Sequence, residues 1–139
     1  MIVGAAVVAL SLSGCVSTPS PFDGRRLDED RLPAGAATYV QNGDVSTSRY
    51  QGSSGGWDLY LVHGTGPYGF CIVYTDGTAE RSGASCTGGT WVRASLSDGA
   101  AFEANIGGFV NPPTDDQVQI STWVRQLNPG RQSTTSATE

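Results

Sequence analysis

Three turn dipeptides, Asn42-Gly43, Asp76-Gly77 and Asp98-Gly99, divide the middle of the chain into short strand-like runs. Asn-Gly and Asp-Gly readily adopt the positive φ angles of type I′ turns, which close tight β-hairpins. Glycine is also abundant, with 19 among 139 residues, and this favours many turns over long helices. The sequence therefore predicts a mostly β fold: an antiparallel sheet, a sandwich or a small barrel of hairpins.

The first two strand predictions concern the residues around Gly43 and the run 57–63. A tight turn at Asn42-Gly43 predicts a hairpin between 38–41 and 44–47. The run 57–63 carries apolar side chains in both of its alternating sets. A strand with two apolar faces is buried on both sides, so we expect 57–63 to be central in its sheet.

The Asp98-Gly99 turn makes a prediction about which side chains share a face. A two-residue loop there would place Trp91 opposite Ile106 and put both on one face together with Phe102. Val92 and other small apolar residues would then occupy the opposite face.

Only the end of the domain has a helical pattern. Thr114 can cap a helix, with Gln117 three residues later completing a capping box. The spacing i, i+3, i+4 and i+7 then predicts one apolar stripe, formed by Ile120, Trp123, Val124 and Leu127. We expect this helix to pack on the sheet, which makes the fold α+β by strict count; the β-branched residues leave a strand as the alternative.

The N-terminus has the features of an export signal. Residues 2–12 are apolar but fewer than the roughly 20 that a helix needs to cross a bilayer. They lead into Leu12-Ser13-Gly14-Cys15, which resembles the lipobox of bacterial lipoproteins. The resemblance implies recognition of Leu12, Ser13 and Gly14 by a signal peptidase, cleavage before Cys15, and acylation of Cys15 as the membrane anchor.

This resemblance sets the expected domain organisation. We expect a signal peptide at 1–14, a flexible tether at 15–35, a folded domain at 36–127 and a disordered tail at 128–139. Lipoprotein signals carry Lys or Arg before the apolar core, and only Met1 precedes it here. We therefore expect the true start codon to lie upstream.

Once Cys15 is lipidated, Cys71 and Cys86 remain, and an even count in an oxidising compartment predicts a disulfide. A tight Asp76-Gly77 turn would place Cys71 opposite Ser82, so we expect the chain to bend at 82–85 and bring Cys86 back. Only His63 could join the two thiols as a metal ligand. We therefore expect no metal and no cofactor.

The candidate chemistry is sparse. A net charge of −5 disfavours nucleic-acid binding, which needs clustered cations. His63 is the only histidine, and no sequence motif supplies the partners of a catalytic triad. Ser46-Thr47-Ser48-Arg49-Tyr50 resembles the Ser-x-x-Arg-Tyr element of membrane-bound lysozyme inhibitors, which implies inhibition of a wall-degrading enzyme.

These observations favour a non-catalytic binding module, anchored on the outer face of a membrane by lipid. Its partner would be an envelope protein or a glycan. A more specific version is a phage-encoded lipoprotein that excludes superinfecting phage. The alternative from a different class is a small envelope hydrolase that uses His63 with a carboxylate.

Overall fold

The computed structural model describes residues 19–127, and these form two antiparallel sheets of four strands each. The strands of the first sheet are β1 (Gly43–Ser54), β2 (Trp57–Gly64), β3 (Phe70–Thr75) and β4 (Ser82–Thr87). Those of the second sheet are β5 (Trp91–Ser95), β6 (Ala101–Asn105), β7 (Gln117–Gln119) and β8 (Val124–Leu127). The strand orders are β1-β2-β3-β4 and β5-β6-β8-β7. The predicted β-rich class is confirmed.

The inner faces of the two sheets share one apolar core. In β2 the alternating residues Trp57, Leu59 and Leu61 point into it. The other buried members are Phe70, Ile72, Val92, Ala94, Leu96, Phe102, Ala104 and Val124. Burial of a large apolar side chain stabilises the fold by about 1.5–3 kcal/mol, so this core is the main source of stability.

Strand β2 is central, as predicted, since it pairs with β1 on one side and β3 on the other. Its outer-face residues Tyr60 and Val62 join Cys71 and Val73 in a second cluster. Residues of the N-terminal segment, among them Val40, cover this cluster. Both faces of the strand are therefore buried.

The segment that precedes β1 packs against the first sheet through the buried Asp30, which is 7% exposed. The Asp30 carboxylate accepts hydrogen bonds from the backbone N–H groups of Leu27, at 2.7 Å, and Tyr50, at 2.8 Å. The Ser48 hydroxyl donates to the Asp30 carbonyl oxygen at 2.5 Å. The tether at 15–35 was predicted to be flexible, but these contacts dock its charged part on the domain.

This segment also contains the helical turns that the structure describes in residues 19–127. They are a 3-10 turn at Asp28–Asp30 and α1 at Ala34–Ala37. The predicted hairpin around Asn42-Gly43 is therefore wrong, because 38–41 follows α1 and forms no strand. Gly43 is explained by close packing: an added Cβ would lie 2.7 Å from Val62 Cγ2 and 2.8 Å from Val40 Cγ1.

The predicted disulfide joins Cys71 of β3 to Cys86 of β4 and is confirmed. The two cysteines are direct cross-strand partners. The predicted bend at 82–85 is wrong because the connection is the six-residue loop 76–81, and this length already aligns the two residues. Closing 15 residues contributes about 3 kcal/mol on the chain-entropy model.

The β5–β6 hairpin differs from its prediction by one residue of register. Its loop spans 96–100. The two strands therefore pair Ser95 with Ala101 and Ala94 with Phe102. Because side chains alternate, this shift turns Phe102 into the core beside Ala94 and leaves Trp91 on the outer face. The predicted grouping of Trp91 with Phe102 is wrong.

The predicted C-terminal helix is also wrong, and β7 and β8 form a hairpin in its place. Strand β8 pairs with the edge of β6 and buries Val124 completely, so it satisfies backbone groups that a helix would leave open. The Thr114 N–H does donate to the Gln117 side-chain oxygen, at 3.2 Å, but within a turn. Residues 124–127 form a strand, which is the alternative that the sequence left open.

We expect Asp30→Ala to lower the free energy of unfolding by about 2–4 kcal/mol, because it removes the acceptor of two partly buried N–H groups. Urea denaturation of the variant and of wild type would measure this. Asp28→Ala is the matched control: its carboxylate is fully exposed and lies 3.8 Å from Arg31, so its removal should leave the free energy of unfolding nearly unchanged. Equal losses in the two variants would contradict the docking role of Asp30.

Candidate functional site

A small cleft opens between the two sheets where the loops 76–81 and 96–100 meet. It has a volume of about 190 Å³, below the roughly 300–1,000 Å³ of pockets for drug-sized ligands. Its lining residues are Trp57, Tyr74, Glu80, Arg81, Ser82, Ser95, Leu96 and Ser97. We call it the Trp57 cleft.

Trp57 forms the aromatic wall of the cleft and its ring is held from two sides. The ring is 4% exposed, and its indole Nε1–H donates to Asp98 Oδ2 at 2.9 Å. Tyr74 meets it edge-on, with ring centroids 5.7 Å apart. A tryptophan fixed in this way presents its face without losing side-chain entropy when a ligand arrives.

Arg81 lies over this face of Trp57. Its guanidinium carbon is 4.5 Å from the ring centroid, within the range of a cation–π contact. Its Nε lies 3.5 Å from Asp76 Oδ2 and its Nη2 lies 3.6 Å from Asp98 Oδ2. These ion pairs are longer than a charge-assisted hydrogen bond of about 2.7–2.9 Å, and the Arg81 side chain remains 53% exposed.

The loop that carries Arg81 is held by a chain of side-chain hydrogen bonds. Thr75 Oγ1 and Ser82 Oγ lie 2.6 Å apart, and Ser82 Oγ donates to the Thr78 carbonyl oxygen at 2.5 Å. Asp76 accepts from both the hydroxyl and the backbone N–H of Thr78. The backbone near Arg81 is thereby fixed while its side chain stays at the surface.

Glycine makes room for the second aromatic wall. Gly83 pairs with Tyr74 across β3 and β4. An added Cβ at Gly83 would collide with the Tyr74 ring and hydroxyl. Gly83 therefore lets Tyr74 lie flat against β4 at the edge of the cleft.

The two carboxylates that pair with Arg81 have lowered pKa values. The hydrogen bond from the Ala100 N–H is the main cause for Asp98, and the Trp57 indole and Arg81 lower its pKa further, against an opposing contribution from burial. The Thr78 hydroxyl is the main cause for Asp76, followed by the Thr78 backbone N–H. Both groups are therefore anionic at neutral pH.

His63, the residue of the hydrolase hypothesis, lies at the other end of β2 from Trp57. It is exposed, and its ring stacks on Phe22 with centroids 3.8 Å apart. Asp44 is its cross-strand partner, but the Asp44 carboxylate accepts from the N–H and hydroxyl of Ser46. Within residues 19–127, no hydrogen bond joins the His63 ring to a carboxylate.

The element that resembles lysozyme inhibitors lies in an irregular part of β1 and faces the N-terminal segment. The Arg49 guanidinium donates to the carbonyl oxygens of Thr47 and Ser48. It also donates to those of Phe22, at 3.3 Å, and Gly24, at 3.4 Å. Arg49 thus connects the N-terminal segment to the sheet.

Sequence reasoning missed the cleft because its parts are far apart in the chain. Asp98 was explained by its turn alone, and Arg81 had no distinguishing neighbour. Trp57 is the first residue of the apolar run 57–63, and nothing in the sequence marks it as part of a site. The residues predicted for lipidation and processing, Cys15 with Leu12, Ser13 and Gly14, lie outside the described residues, as does the predicted tail at 128–139.

Comparison with family models, curated proteins and solved structures finds no match for this chain. Among residues 19–127, no helix has the length and apolar content needed to cross a membrane. In the same part of the chain, no group of three or more His, Cys, Asp or Glu side chains is placed to hold a metal ion.

The lowered pKa of Asp98 predicts acid sensitivity of the cleft. A carboxylate whose pKa is lowered in the folded state stabilises the fold at pH values above its ordinary pKa of 3.8. This stabilisation is lost as the pH falls through the lower pKa of the folded state. We therefore expect the Trp57 indole N–H resonance to shift on acidification with a midpoint below pH 3.8. Asp98→Asn should abolish this titration; an unchanged titration would show that Asp98 does not govern the Trp57 ring.

Proposed function

We propose that this protein is a lipid-anchored, extracytoplasmic binding module that engages a partner at the cell envelope through the Trp57 cleft. The observation that carries this proposal is the placement of the cleft relative to the start of the domain. Phe22 packs beside His63, at the far end of β2 from Trp57. From His63 to Trp57 the strand extends about 20 Å.

This placement suits a domain tethered by Cys15. Seven positions separate Cys15 from Phe22, a reach of at most about 25 Å. An acyl anchor on Cys15 would therefore attach the domain from its His63 end and allow the Trp57 cleft to face away from the bilayer. A partner approaching the cell surface meets the cleft first.

The disulfide supports an extracytoplasmic location. Cys71 and Cys86 are bonded across β3 and β4, and disulfides of this structural kind persist in oxidising compartments. The apolar stretch at 2–12 and the lipobox-like residues before Cys15 support the same location. Acylation by more than one chain would make the attachment stable.

The groups that line the cleft favour binding over catalysis. Its polar and aromatic groups are an indole, a phenol, a guanidinium, the Glu80 carboxylate and serine hydroxyls, which recognise ligands through cation–π contacts, ion pairs and hydrogen bonds. His63 is at the opposite end of β2. The non-catalytic function is therefore the one that the described residues support best.

Anchoring is tested by the intact mass of the membrane-extracted protein, wild type beside Cys15→Ala, with and without reductant. We expect wild type to lack 1–14, to carry acyl mass and to gain two hydrogen atoms on reduction. Cys15→Ala should lose the acyl mass and keep the reducible disulfide. A wild-type protein with neither processing nor acylation would overturn the lipoprotein assignment.

Binding through the cleft is tested by a photo-crosslinking amino acid placed at Ser97, on the rim of the cleft. The matched control carries the same group at Thr65, which is equally exposed and lies in the loop after β2. We expect a discrete envelope adduct from position 97 and none from position 65. Equal adducts at the two positions, or no adduct from position 97, would contradict a role for the cleft.

The identity of the adduct separates the more specific versions of the proposal. A phage protein would indicate exclusion of superinfecting phage, and a wall-degrading enzyme would indicate inhibition. A reproducible hydrolytic activity that is lost in His63→Ala would replace the binding proposal with the hydrolase alternative.

A further inference from the structure

The Trp57 cleft already holds a cation, supplied by the chain itself. The Arg81 guanidinium lies 4.5 Å from the centre of the Trp57 ring. Trp is the best aromatic partner for a cation because its face carries the strongest negative potential. The contact shows that a guanidinium fits between this ring and the carboxylates beside it.

The charge around the ring exceeds what Arg81 balances. Asp76 and Asp98 both pair with Arg81, and Glu80 also lines the cleft. Two carboxylates therefore pair with one guanidinium and a third, that of Glu80, lines the same cleft, in a chain whose net charge is −5. This excess of negative charge attracts a second cationic group and speeds its approach.

Arg81 is held weakly enough to be displaced. Its two ion pairs measure 3.5 and 3.6 Å, and half of its side chain is in solvent. Ion pairs of this length whose cation is half in solvent contribute little to stability. By contrast, the Trp57 ring is held by the indole hydrogen bond to Asp98, so it keeps its position when Arg81 leaves.

We propose that the Trp57 cleft binds an arginine or lysine side chain of a partner protein, and that Arg81 occupies this place until the partner displaces it. The position that the Arg81 guanidinium fills over the Trp57 ring has, by that occupancy, the size of one such group. This inference rests on the proposed binding function and specifies its ligand.

The experiment uses the full chain in detergent and follows the Trp57 indole N–H resonance, which is assigned by its loss in Trp57→Phe. The probe is N-acetyl-arginine amide. Its control is N-acetyl-citrulline amide, which has the same shape and no charge. Wild type is compared with Arg81→Ala, and with Arg93→Ala, which removes the same charge from an exposed position on β5.

We expect Arg81→Ala to bind the arginine probe about tenfold more tightly than wild type, the gain that follows when a competitor occupying nine-tenths of the sites is removed. Arg93→Ala should bind as wild type does. The gain should be absent for the citrulline probe, and it should shrink in Arg81→Ala/Asp98→Asn. Added salt should weaken the binding.

Three results would overturn the inference: equal affinity in wild type and Arg81→Ala, an equal gain in Arg93→Ala, or an equal gain for the citrulline probe. Arg81→Gln provides a second test if Arg81→Ala fails to fold, because it keeps a polar side chain and removes the charge. The inference and the proposed function can fail separately. An adduct at position 97 without cation binding refutes the ligand class alone, whereas cation binding without an adduct refutes the partner function.

Discussion

The fold depends on burying both faces of strand β2. Its inner face carries Trp57 and Leu59 against the second sheet, and its outer face carries Tyr60 and Val62. Neither face can stay in water without losing the main driving force of folding. The second sheet covers the inner face and the N-terminal segment covers the outer one, so residues before β1 belong to the folded unit. Asp30 and Ser48 hold this cover with hydrogen bonds that are buried or partly buried.

Short-range patterns in the sequence predicted the class of fold, the central position of β2 and the disulfide. They could not predict register, because loop length depends on hydrogen bonds within the turn: the Leu96 N–H donates to the Ala100 carbonyl oxygen at 2.8 Å and sets a five-residue loop. The helical spacing before Leu127 was misleading for a related reason. Strand β6 offered an unpaired edge, and pairing with it outweighed local preference in β8. Docking of Asp30 was hidden because its partner Tyr50 is 20 residues away.

The cleft follows from the same long-range choices. One more or one fewer residue in the loop 96–100 would turn the side chains of β6 to the opposite faces relative to β5 and move Asp98 away from the Trp57 indole. The six-residue loop 76–81 both aligns the two cysteines and carries Arg81 to the Trp57 ring. A site assembled from two loop lengths leaves no motif in the sequence. Its members could be recognised only after the two sheets were in place.

An internal cation also explains how an aromatic cleft can be displayed at a surface. Exposed apolar patches promote unwanted association, and Arg81 covers the Trp57 face with a charged group that remains hydrated. A partner must then bind the open cleft better than Arg81 does, so the affinity for each single cation is reduced. The proposed anchor offsets this loss, because tethering raises the effective concentration of the domain at the membrane and allows several weak contacts to act together. Weak, exchangeable recognition at the Trp57 cleft is therefore consistent with firm attachment at the other end of the molecule.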